Sequence, residues 1–177
     1  MLDDVFMYAG VTTNYYLKRD KEVVRNVLAT PCALFGFVGS DALGESPIDD
    51  LWTRQLDPII SVSGQQLRFA LACADTAQAY DKVVAKIRAN APLNVGTAYP
   101  NTVKRIMNSL GLQYNIDPIC VQAGGIESLP WQLPDQCDVI VEQILSGDSM
   151  SANCLRTIMD GLEPVVLMQI GPGGRDE

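Results

Sequence analysis

The chain of 177 residues contains no histidine. That excludes a Ser-His-Asp triad, a Cys-His dyad and every histidine-ligated metal site from this chain alone. Basic residues are scarce as well: thirteen Lys and Arg stand against 21 Asp and Glu, a formal charge of −8. A surface of that sign repels a polyphosphate backbone, so no nucleic-acid partner is expected. No CxxC pair occurs among Cys32, Cys73, Cys120, Cys137 and Cys154. An odd, scattered set inside apolar runs suits reduced, buried thiols in a cytoplasmic protein. No basic segment followed by an apolar stretch opens the chain, and no apolar run is long enough to cross a bilayer, so no membrane partner is expected. Internal repeats and low-complexity segments are lacking too, and only the tail from Gly171 to Glu177 reads as flexible.

What is present is enough apolar material for a core. Hydrophobic residues make up 47% of the chain and charged residues 19%, which excludes a disordered tail or a collagen-like chain. The length suits one domain or two small lobes sharing a core. Runs with strand character are Ala33 to Val38, Leu67 to Cys73, Leu93 to Thr97, Ile116 to Gln122, Val139 to Val141 and Pro164 to Ile170. Helical spacing fills Asp75 to Asn90, which Asp75 or Thr76 can cap, and Asn101 to Leu110, which Gly111 ends. Strands alternating with helices predict an α/β fold with largely parallel sheets. Asn90-Ala91-Pro92 breaks the long helix and divides the chain. Lobe I is expected over 1–90 plus 161–177, and lobe II over 91–160.

Four segments at strand ends carry candidate chemistry. In the stretch from Asp138 to Leu155 an apolar strand delivers Glu142, and the turn Ser146-Gly147-Asp148-Ser149 then opens a helix. Backbone N–H groups, two hydroxyls and a helix N-terminus suit a phosphate monoester, with Gly147 allowing close approach and Glu142 accepting from ribose hydroxyls. The same four residues also make an ordinary capped turn, and the anionic Asp148 opposes a phosphate unless its side chain points away. In Gly96-Thr97-Ala98-Tyr99-Pro100-Asn101, Thr97 could bond a ribose or diphosphate oxygen and Tyr99 could stack on a base. The alternative there is a strand-exit turn with Asn101 capping the helix. Gly124-Gly125-Ile126-Glu127 places an acid after a flexible turn, and Gly36-Phe37-Val38-Gly39-Ser40-Asp41 is a small-residue strand exit.

In this order and spacing the segments resemble the ATP phosphoribosyltransferase family, the first enzyme of histidine biosynthesis. Val95 to Asn101, Gly124 to Glu127 and Asp138 to Leu155 are similar to three successive family blocks, and Gly36 to Leu43 to an earlier one. Arg19 precedes that earlier block much as a family arginine does, so the resemblance runs from about Arg19 to Ile170. The chain departs from the family at several points. Ser replaces Thr twice in the phosphate loop, Glu142 stands for Asp, Cys154 for Gly, and Leu34 for an Asp. The family's opening strand with its Lys-Gly-Arg turn is expected to be missing, since the sequence begins at Met1-Leu2-Asp3-Asp4.

The resemblance implies a two-lobed fold like the type II periplasmic binding proteins, with the active site in the cleft. It also implies a reaction: N1 of ATP displaces pyrophosphate from C1 of phosphoribosyl pyrophosphate, with Mg²⁺ on the diphosphate. Ser146, Gly147, Asp148, Ser149 and Met150 would hold the 5-phosphate and Glu142 the ribose. Thr97, Tyr99, Glu127, Ser40 and Asp41 are candidates near ATP or the diphosphate, and no metal-ligating residue or catalytic residue is assigned. No regulatory domain is expected after the last strand, so the chain resembles the short form, a homo-oligomer that works with a histidyl-tRNA-synthetase-like subunit. The rival expectation is a non-catalytic nucleotide- or anion-binding module of the same fold.

Overall fold

The structure is a computed structural model and describes residues 36–45, 51–60, 64–122 and 124–172. It divides into two compact units, Met1–Leu67 with Pro164–Glu177, and Arg68–Glu163. The boundary therefore falls at Leu67–Arg68 and at Glu163–Pro164, not near Asn90. The reason is the strand that starts at Arg68, which pairs with two strands of the second unit and takes the following helix with it.

In the first unit, β1 (Gly36–Gly39) leads directly into the short helix α1 (Ser40–Gly44). Two further strands, β2 (Leu51–Pro58) and β8 (Val166–Pro172), complete a sheet ordered β1-β8-β2. Both pairings are antiparallel. Val38, Leu43 and Ile170 form a buried cluster against which Met168 packs. Ala33 and Leu34 lie outside the described residues, as does the tail beyond Pro172.

The second unit is a five-stranded sheet flanked by helices. Its strands are β3 (Arg68–Ala74), β4 (Leu93–Gly96), β5 (Tyr114–Asn115), β6 (Val139–Ile144) and β7 (Leu155–Leu162), in the order β5-β4-β6-β3-β7. β4 pairs in parallel with β5 and β6, whereas β3 runs antiparallel to both β6 and β7. Pairing across the described sheets is thus mixed: β3 enters the unit against the direction of the other four strands and sits between two of them. From Phe69 to Ala74 β3 is buried at every position, which is why it reads as a continuous apolar run and not as an alternating one.

Local chemistry sets the helices. In α2 (Ala77–Arg88) the Thr76 hydroxyl accepts from the Ala79 N–H at 3.1 Å and caps the first turn. α3 (Pro100–Leu110) starts on proline at its first position and stops at Gly111, whose φ of 68° is left-handed. Asn101 lies inside this helix, so Tyr99 and not Asn101 occupies the capping position, without a side-chain bond. Thr102, Val103, Ile106 and Met107 face the core, and a single-turn helix, α4 (Leu129–Gln132), follows before β6. The segment from Ile116 to Gln122 is not a strand. Asp117 accepts from the Ile119 N–H at 3.0 Å and Pro118 opens a 3-10 turn, leaving Val121 as a single bridge to Thr97. No helix among the described residues is long and apolar enough to cross a membrane.

Candidate functional site

β4 ends at Gly96, opposite Ile140, and its parallel neighbour β6 runs on to Ile144, so both strands point their carboxyl ends to the same edge of the sheet. In an open α/β sheet this carboxyl edge is where ligands bind. Directly beyond β4, Thr97 is fully buried; its hydroxyl donates to the Val141 carbonyl and accepts from the Tyr99 N–H, each at 2.9 Å. Tyr99 is 1% exposed and meets Phe69 edge to face, ring centroids 5.0 Å apart. Both side chains therefore belong to the packing of the strand exit, and neither Thr97's hydroxyl nor a face of Tyr99's ring is open to a nucleotide.

Glu142 comes from β6, opposite Ala70 of β3. It is 9% exposed, and its Oε1 accepts from the Gln143 N–H at 2.9 Å. Two residues beyond the strand, Ser146 and Gly147 turn the chain into α5 (Asp148–Ala152). Gly147 has φ of 86°, a left-handed conformation that glycine adopts without penalty. The Ser146 hydroxyl accepts from the Asp148 N–H at 3.2 Å, and the Ser151 N–H reaches the Gly147 carbonyl at 3.2 Å. First-turn N–H groups have no intrahelical partner, and those of Ser149 and Met150 are in that first turn. Ser146, Asp148 and Ser149 are exposed, while Met150 is buried and anchors the short helix.

The remaining candidates lie elsewhere. Glu127 is half-buried in a 3-10 turn, Ile126–Ser128, that follows left-handed Gly125. Ser40 and Asp41 begin α1 in the first unit. There the Ser40 hydroxyl accepts from the Val166 N–H at 3.0 Å, and the buried Asp41 side chain lies over Gly39, where a Cβ would collide with it. The second unit thus carries Glu142 on β6 and residues 146–150 in the turn and helix that follow it, with Thr97 bonded to the Val141 carbonyl next to Glu142. Arg19 and Cys32 lie outside the described residues.

Two polar clusters were not anticipated from sequence. At the carboxyl edge, the Arg68 Nη1 donates to the Leu145 carbonyl at 2.7 Å, while Nε and Nη2 bond Asp160 of β7 at 2.8 and 3.1 Å. The hydrogen bond from Arg68 is the main reason the Asp160 carboxyl is held below its usual range. The available signal was a charged residue opening an apolar strand; Asp160 was hidden because its strand was not read as one. At the opposite end of β6, the fully buried Asp138 side chain lies 2.6 Å from Lys86 Nζ and 2.9 Å from Lys82 Nζ, and accepts from the Asn94 N–H at 2.9 Å. Burial alone would raise its pKa, but these three partners outweigh it and hold the carboxyl below its ordinary value. Lys82, Asp138 and the exposed Trp131 border a cavity of about 400 Å³ there, away from the Ser146 turn.

The thiols differ in setting. Cys73, Cys120 and Cys137 are buried, and burial followed by the proximity of Cys120 pushes Cys137 up to about 12. Cys154 departs from the expectation of buried thiols: it is exposed, in a turn with φ of 53°.

A family model described as ATP phosphoribosyltransferase (HisG) matches residues 19–168. Among solved structures, the ATP phosphoribosyl transferase (HisG:HisZ) complex from Thermotoga maritima is similar with a TM-score of 0.57 and 16% identity, over 96% of this chain and 87% of that one. The effector-binding domain of QuiR in complex with shikimate is similar with a TM-score of 0.50 and 9% identity, over 98% of this chain and 86% of that one. At such identities the likeness is one of fold, the type II periplasmic-binding-protein arrangement. No curated protein matches.

Proposed function

The chain belongs to the ATP phosphoribosyltransferase family, and from that premise we propose that it joins the phosphoribosyl group of phosphoribosyl pyrophosphate to N1 of ATP in the first step of histidine biosynthesis. The observation that carries the reading lies inside the matched residues. A buried carboxylate on β6, Glu142, stands just ahead of a left-handed glycine turn that opens α5.

In this reading the 5-phosphate sits on residues 146–150. The Ser146 and Ser149 hydroxyls and the N–H groups of Ser149 and Met150 donate to it, and Gly147 keeps side-chain bulk away. Asp148 contributes its backbone, with its exposed side chain directed to solvent. Glu142 accepts from the ribose hydroxyls and lies close to the positive charge that develops at C1 as the diphosphate leaves. N1 of adenine supplies the electron pair for the new C–N bond, and the electrons of the breaking C–O bond leave with pyrophosphate. A ring nitrogen is already nucleophilic, so positioning replaces a general base. Thr97 and Tyr99 support this edge from the core. No group of three or more Cys, Asp or Glu among the described residues is placed to hold a metal ion. In this reading Mg²⁺ would come with the diphosphate of the substrate and would supply charge neutralisation on the leaving group. The solved relative is a complex of HisG with HisZ. For this chain the reading calls for a homo-oligomer working with a histidyl-tRNA-synthetase-like subunit.

Pyrophosphate release from ATP, phosphoribosyl pyrophosphate and Mg²⁺, measured with and without such a subunit, tests the proposal. Release is expected, with Glu142→Gln lowering kcat/KM for phosphoribosyl pyrophosphate by about tenfold or more, the equivalent of one hydrogen bond to a charged acceptor. Glu142→Asp should retain most activity. Binding of phosphoribosyl pyrophosphate with no release under either condition would overturn the transferase reading in favour of a non-catalytic binding module.

A further inference from the structure

Arg68 opens β3 directly opposite Ile144, the last residue of β6. Its guanidinium fork works in two directions at once. One nitrogen donates to the Leu145 carbonyl at 2.7 Å; the other two grip the Asp160 carboxylate at 2.8 and 3.1 Å. A planar five-donor fork can satisfy a carboxylate and a carbonyl together in fixed geometry, and an ammonium cannot. The Leu145 carbonyl also belongs to the same rigid peptide plane as the Ser146 N–H, with the two pointing in opposite directions. Holding the carbonyl on Arg68 therefore sets the direction of the first amide of the turn. The neighbouring bond from the Asp148 N–H to the Ser146 hydroxyl continues the ordered path toward α5.

We propose that Arg68 is a positioning residue for the phosphate turn: tied to the Leu145 carbonyl and braced by Asp160, it presets the Ser146 peptide before an anion arrives. This rests on the reading of residues 146–150 as the phosphate site. Arg68 acts through the backbone, and Asp160 acts through Arg68. Since Asp160 balances its charge, the fork geometry carries the effect.

Two measurements on the full chain separate this inference from the reading beneath it. The first is hydrogen exchange of the peptide spanning 143–153 without ligand, which should quicken in Arg68→Gln and, to a smaller extent, in Asp160→Asn. The second is calorimetric affinity for phosphoribosyl pyrophosphate with Mg²⁺. This should weaken roughly tenfold in Arg68→Gln, as expected for one charge-assisted hydrogen bond, while ATP affinity stays at the parent's value. Arg68→Lys keeps the charge without the fork and should not rescue either readout. Should Arg68→Gln fail to fold, Asp160→Asn carries both tests. Parental exchange and parental affinity in the folded variants would overturn the inference, as would full rescue by Arg68→Lys. If the parent itself does not bind phosphoribosyl pyrophosphate, the phosphate reading fails, and the exchange result alone decides whether Arg68 orders the turn.

Discussion

Cys154 stands where the family places glycine, and its backbone shows why glycine belongs there: φ is 53°. An L-residue with a Cβ in that region carries a penalty of roughly 1–2 kcal/mol, against which glycine's greater unfolded-state freedom offsets about 0.5–1. Cys154→Gly is therefore expected to stabilise the protein by about 0.5–1 kcal/mol, read as a higher urea midpoint at unchanged slope. The exposed thiol contributes little packing that the change would remove. A lower midpoint would show that the Cys154 side chain makes a contact that outweighs the strain. Gly147 is the converse case: the spacing Ser-Gly-Asp-Ser marked a turn, and the observed φ of 86° explains why its second residue is glycine. Thr97 and Tyr99 were legible as residues at a strand exit but not as buried ones. A hydroxyl that bonds its own sheet and a ring that fills its own core have the same sequence signature as groups aimed at a ligand.

Helices with strong local signals were read well, because their determinants are close in sequence. Thr76 caps α2, Pro100 starts α3 and Gly111 ends it. β7 was not expected, because the turn Ser146-Gly147-Asp148-Ser149 reads as the start of a helix. The helix ends at Ala152, where the Asn153 side chain donates to the Ser149 carbonyl at 2.8 Å and Cys154 turns left-handed. Equally hidden was the pairing of Asp138 with Lys82 and Lys86, which lie 56 and 52 positions away in sequence and meet it only in the folded unit, where Asp138 leads into β6. That cluster has a pH signature. The depressed Asp138 carboxyl contributes stability that is fully present above its unfolded value of about 4 and is lost as pH falls through the lower folded value. Asp138→Asn should cost about 2–3 kcal/mol at pH 7, the scale of hydrogen bonds to a charged group, and the gap from the parent should close below pH ~4. Parallel denaturation curves at pH 7 and pH 3 check this. A gap that persists undiminished at pH 3 would mean that the side chain's shape, not its charge, is what the site needs.

At the scale of the whole molecule, an α/β chain of two units was legible from alternating elements, whereas the place where the units divide was not. The proline after Asn90 marks the end of a helix, but domain membership follows strand pairing, and β3 pairs entirely within the second unit. Pairing partners distant in sequence leave no local mark. The family match spans both units, while the turn proposed as the phosphate site belongs to the second alone. In the proposed function, residues 146–150 hold the phosphate of phosphoribosyl pyrophosphate. Its most direct test is an amide NMR titration of the full chain with that compound and Mg²⁺. Saturable shifts are predicted for Gly147, Asp148, Ser149 and Met150, with the largest at the N–H groups of Ser149 and Met150. Saturable binding that shifts amides elsewhere and leaves these four unmoved would contradict the account.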